Sequence, residues 1–66
     1  LQVFGAELTQ DSHFQDHLDH AIPVQVYRMG NHVDIGWIKD FDQHAVLIGD
    51  TLYKRSAYVF TSRPGY

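Results

Sequence analysis

Pro23 divides this chain into two periodicities, and that switch constrains the fold more than any other feature. Before it, Phe14, Leu18, Ala21 and Ile22 recur at the spacing of one face of a helix. After it, "VQVYRM" alternates with period two, Val24 and Val26 falling on one side. The proline ring biases Ile22 toward extended backbone, so the spacing predicts a helix of about two to three turns that ends there. "SHFQ" has the form of a capping box, Ser12 as N-cap and Gln15 three residues on, with Thr9 or Asp11 as earlier alternatives. Residues 1–8 have no clear period and read as a loose N-terminal arm; residues 9–66 read as the folded domain.

The rest reads as strand and turn. "GN" at 30–31 and "GD" at 49–50 have the Gly-first form of two-residue type II′ hairpin turns. Between them lie "HVDIGWIKDF", a long strand with a bulge or sharp bend expected at Gly36, and the short "AVLI". "TLYKR" and "AYVF" flank Ser56 as two more strands. One helix followed by five short antiparallel strands predicts a mainly β fold, a strongly bent five-stranded sheet closing toward a small open barrel.

Sixty-six residues make one domain at most, with a core that is only marginally stabilising alone. Domains of this size usually add disulfides, a metal or partner subunits. The chain has no cysteine, which excludes disulfides and thiolate metal sites and accords with a cytoplasmic setting. No apolar run reaches the roughly 20 residues of a membrane span, and no signal-peptide pattern is present. The formal net charge of −3 argues against broad coating of nucleic acid. Residues 1–27 carry four carboxylates and no Lys or Arg, whereas Arg28, Lys39, Lys54, Arg55 and Arg63 all lie later.

His13, His17 and His20 gather along one side of the helix, where imidazoles ligate zinc or nickel in other proteins. Helix spacing alone lets only two of them converge easily, so an exposed polar flank or a subunit contact is the favoured reading, and no required metal or other cofactor is expected. Asp40 and Asp42 of "DFD" would face one side of a strand, open to like-charge coupling, or simply form a solvated strand end. With no thiol, no Gly-rich phosphate loop before a helix and no nucleophile elbow, an enzyme is not expected.

Lys54 and Arg55, adjacent cations just past a tight turn, pose the functional question. Taken alone they read as two exposed charges at a strand end. Taken with "TQD" at 9–11, "IPVQVY" after the helix, "GWIKDFDQHAVLI", "YKR" and "SRP" near the end, they form an ordered series. From about Thr9 to Pro64 that series resembles the bacterial Sm-like proteins of the Hfq family. Within it, Arg55 stands where the family has a His, His44 where it has another aromatic, and Asp34 where an apolar residue is usual, leaving Val33 and Ile35 as a candidate inward pair. The connection at "GD" is several residues shorter than the family's, and "LDHA" at 18–21 replaces its basic residues.

The resemblance implies an Sm-like fold assembled into a homo-oligomeric ring, six copies in the family, with five or seven open here. It implies a non-enzymatic RNA-binding protein of post-transcriptional regulation that takes single-stranded, U-rich RNA at a central pore. Lys54 and Arg55 would form a positive collar, His44 would stack on a base, Gln10 and Gln43 would meet base edges, and Asp42 would orient a cation or accept from a uracil N–H. The alternative is a ring-forming structural or protein-interaction module of the same fold that has lost RNA binding; net acidity favours it.

Overall fold

Helix α1 spans Asp11–Asp19 in the computed structural model, which describes residues 6–63. It starts before the expected Ser12 cap. Gln10, in extended conformation, is the N-cap, and the imidazole Nδ1 of His13 accepts the backbone N–H groups of Thr9 (3.0 Å) and Gln10 (3.3 Å). His13 therefore supplies the reciprocal acceptor that Gln15 was expected to provide. Gln15 instead donates from Nε2 to Asp19 Oδ1 one turn on, at 2.8 Å. The helix closes before Pro23, not at it. Ala21 takes φ +51°, and the Ile22 N–H reaches back to the His17 carbonyl at 3.0 Å, the six-residue bond of a Schellman closure without its usual glycine. Ala21 and Ile22 thus lie beyond the helix, and Phe14 is its one fully buried residue.

Six strands follow: β1 Val24–Arg28, β2 Asn31–Gly36, β3 Ile38–Phe41, β4 Ala45–Ile48, β5 Thr51–Lys54 and β6 Val59–Ser62. They form two three-stranded antiparallel sheets, ordered β2-β1-β6 and β3-β4-β5, in place of the single five-stranded sheet expected. The extra strand comes from the expected bend. Gly36 lies so close to β4 that a Cβ there would meet the Ile48 side chain at 2.9 Å, and pairing stops at Trp37 before β3 begins in the other sheet. One long strand in the sequence is therefore two strands in two sheets.

The core lies between these layers. Val24, Val26, Val46 and Ile48 project from the central strands and are almost fully buried, as period two requires. Phe14 brings the helix down on them, edge-on to Phe60 (ring centroids 5.5 Å apart) and tilted against Phe41 at 5.8 Å. Leu8, Ile38 and Tyr53 complete the core. On β2 the inward position belongs to Asp34, while Val33 and Ile35 are exposed, the reverse of the expected pair. Asp34 is tolerated because the Tyr53 hydroxyl donates to its Oδ2 at 2.6 Å. That bond, with burial second, raises the Tyr53 pKa above its ordinary value. This contribution to stability is present below the unfolded tyrosine pKa and lost as pH rises through the folded one.

Residues 6–8 are not a loose arm. The Leu8 N–H donates to the Phe60 carbonyl (2.8 Å) and the Ser62 N–H to the Ala6 carbonyl (2.9 Å), with Glu7 opposite Thr61. The other residues of the expected arm, Leu1–Gly5, and Pro64 of the "SRP" word lie outside the described residues. Among the described residues no helix is long and apolar enough to cross a membrane.

The β1–β2 turn is one residue earlier than the Gly-Asn reading. Arg28 pairs with Asn31, so Met29 and Gly30 are the loop, at φ +51° and +81°. Positive φ at both central residues is the type I′ pattern, which favours Asn at the first. At 49–50 the Gly-first reading fits, since Gly49 has φ +60° and Asp50 is not among the positive-φ residues. Met29 is 89% exposed and contributes nothing to the core. Met29→Asn should therefore stabilise the fold by about 0.5–1 kcal/mol, raising the thermal midpoint by about 2–8 °C. A calorimetric scan showing no gain would contradict the assigned turn.

Candidate nucleic-acid interface

Arg55 assembles the residues that the sequence singled out. It follows β5, and its backbone N–H donates to the His44 carbonyl at 2.8 Å. Its guanidinium donates from Nη1 to Asp11 Oδ1 (2.6 Å) and to the Asp42 carbonyl (2.8 Å), and lies over the Phe14 ring at 4.5 Å. One side chain thus ties the start of α1 to the β3–β4 turn and the end of β5. Gln10, beside Asp11, and Lys54, whose strand position pairs with Ala45, are brought to the same region as Asp42, Gln43 and His44.

Asp42 shapes the turn. Its Oδ1 accepts the backbone N–H groups of His44 (2.7 Å) and Ala45 (2.9 Å), while its own N–H donates to the Ala45 carbonyl at 2.9 Å. Those two bonds, first His44 and then Ala45, hold its pKa below the ordinary carboxylate value, with Arg55 adding a smaller pull. Oδ1 is therefore occupied, and Asp42 acts first as the brace of the turn. It lies past the end of β3, so it does not share a strand face with Asp40, whose Oδ1 accepts the Phe41 N–H at 2.8 Å.

The turn presents Gln43 and His44 to solvent, Gln43 Nε2 lying 3.2 Å from His44 Nε2. His44 is held by its N–H to Asp42 and its carbonyl to Arg55, so its ring projects from a backbone fixed at both ends. Lys54 is exposed, on the face of β5 opposite buried Tyr53. Among the described residues no carboxylate lies within ion-pair distance of Lys54.

The two cations therefore differ in role. The Arg55 side chain is only 15% exposed and already paired, whereas Lys54 is free to meet a ligand. Counting Asp11 and Asp42 against Lys54 and Arg55, the region has no formal net charge in one subunit. Asp11 and Phe14, the holders of Arg55, were not singled out for this role. Asp11 appears in the "TQD" word, but nothing local marks it as the partner of a residue 44 positions away.

The helix histidines engage separate backbone groups. His13 caps the helix, His17 Nδ1 bonds the His13 carbonyl at 2.8 Å, and His20 Nδ1 bonds the Asp16 carbonyl at 2.9 Å. That carbonyl and then the Asp16 carboxylate raise the His20 pKa. Among the described residues no group of three His, Cys, Asp or Glu is placed to hold a metal ion.

No protein-family model, curated protein or solved structure matches the chain.

Arg55→Ala should destabilise the fold by about 2 kcal/mol, through the lost bond from a charged donor and the uncovered Phe14 ring. Lys54→Ala should stay within about 0.5 kcal/mol. Urea unfolding of both variants checks the contrast; equal effects would contradict the division of roles. The stability supplied by Asp42 should be present above the ordinary carboxylate pKa and lost as pH falls through its depressed value. An NMR titration should place the Asp42 midpoint below about 3.9, and a midpoint above that would contradict the turn geometry.

Proposed function

We propose that this chain is a non-enzymatic, Sm-like RNA-binding module acting in the cytoplasm as a homo-oligomeric ring. Its ligand is single-stranded, U-rich RNA, taken at the surface formed by Gln10, Gln43, His44 and Lys54. The observation that carries this reading is the clamp at Arg55, which gathers these residues from the helix start, the β3–β4 turn and β5. His44 offers an exposed ring on a rigid turn for stacking, and the amides of Gln10 and Gln43 offer donors and acceptors to base edges. Lys54 supplies one phosphate contact per subunit. Arg55 and Asp42 serve as positioning residues. Repetition around a ring multiplies contacts that are weak singly.

A second reading has one specific observation in its favour. Asp11 neutralises Arg55, so the collar has half the free cations its sequence promises. A ring-forming protein-interaction module of the same fold would need none. Binding of labelled U-rich and A-rich oligonucleotides at two salt concentrations separates the readings. Under the RNA reading, Lys54→Ala weakens U-rich binding and lowers the salt slope, which is about 0.7 for each phosphate neutralised on a single strand. His44→Ala weakens it by about 1–3 kcal/mol with the slope kept. Lys39→Ala, whose ammonium lies 3.9 Å from Asp50 and away from this surface, leaves binding unchanged. A wild-type protein that binds neither RNA at low salt supports the interaction module.

A further inference from the structure

We propose that the first turn of α1 is a pH-sensitive latch, closed by the neutral imidazole of His13 and opened when that ring takes up a proton. Nδ1 of His13 accepts the backbone N–H groups of Thr9 at 3.0 Å and of Gln10 at 3.3 Å. An imidazole nitrogen accepts a hydrogen bond only through a free lone pair, so Nδ1 carries no proton and Nε2 holds the ring's one N–H. Protonation turns Nδ1 into a donor that faces two other donors. Both bonds are then lost, and the ring must turn away from the two amides. A glutamine at this place in a capping box accepts whatever the pH, whereas a histidine accepts only while it is neutral.

The other two helix histidines are built the opposite way. Nδ1 of His17 faces the His13 carbonyl at 2.8 Å, and Nδ1 of His20 faces the Asp16 carbonyl at 2.9 Å. Each of those nitrogens is the donor, so protonation leaves its bond in place. The response to acid is therefore confined to the start of the helix. A groove between α1 and residues 6–8 gives the charged ring somewhere to go. Among the described residues, the titratable groups that line it with His13 are Glu7, from the segment before the helix, and Asp16 and His17, on the helix itself. Asp16 already meets His17 at 3.8 Å and His20 at 3.1 Å, whereas Glu7 is exposed and in no ion pair among the described residues. The Glu7 carboxylate thus draws a protonated His13 away from the amides that a neutral one caps. Gln10 is the N-cap and Asp11, the partner of Arg55, the first helical residue. Opening this turn loosens both from the β3–β4 turn that carries Gln43 and His44. That consequence for RNA rests on the function proposed above; the latch itself does not.

His13→Gln supplies the test, because it keeps an acceptor at the same place and removes the titration. Amide NMR follows Thr9 and Gln10 from about pH 8 to about pH 5, the range over which an imidazole changes charge. In the wild type both amides should shift together, in the direction of a lost hydrogen bond, and in His13→Gln they should stay in place. Over the same range the thermal midpoint of the wild type should fall by about 4–8 °C more than that of the variant, the size expected for one lost cap. Stationary Thr9 and Gln10 amides in the wild type, or equal falls in the two midpoints, would overturn the latch. Oligouridine binding is measured on the same samples and should weaken in acid more for the wild type than for His13→Gln. Amides that move in a protein binding no RNA at either pH would uphold the latch and count against the RNA reading alone.

Discussion

The guanidinium of Arg55 joins three parts of a chain too small to hold them by apolar burial alone. It bonds Asp11 at the start of the helix and the carbonyl of Asp42 in the β3–β4 turn, and covers the ring of Phe14. Each contact is modest. An ion pair with an exposed carboxylate is worth about 0–1 kcal/mol, and a partly buried cation–π contact about 1–2 kcal/mol. Their position matters more than their sum, because Phe14 is the helix's one fully buried side chain. Fixing the ring orients the helix, and orienting the helix places Gln10 beside the turn that carries Gln43 and His44.

That use of Arg55 changes the functional meaning of the Lys-Arg pair. A cation paired and largely buried orders a site, while an exposed and unpaired one meets the ligand. Under the proposed function, an acidic chain with one free cation per site would rely on base stacking and on repetition among subunits more than on long-range attraction.

What depends on local chemistry was legible in the sequence. Pro23 marked the change of period, Val24, Val26, Val46 and Ile48 are buried as alternation requires, and Gly36 marked the bend. Contacts between distant residues were not. The pairing of Arg55 with Asp11 spans 44 positions, and that of Asp34 with Tyr53 spans 19. Without its tyrosine partner, Asp34 reads as a residue that belongs outside, and Val33 and Ile35 as the pair that belongs inside. Turn register failed on a smaller scale. "MGN" permits a Gly-Asn or a Met-Gly loop, and the pairing of Arg28 with Asn31 decides for the second. The split of one long strand into β2 and β3 arises from how close Gly36 comes to Ile48, a distance that no local pattern encodes.

The central claim is that the surface gathered by Arg55 is where single-stranded RNA binds. Two-dimensional amide NMR of labelled protein, titrated with a short oligouridine, addresses it most directly. The account predicts concerted shifts at Gln10, Gln43, His44 and Lys54, with little change at Lys39 and Asp50, which pair with each other at 3.9 Å away from this surface. No shifts at low salt, or shifts centred on Trp37, Lys39 and Asp50, would contradict it.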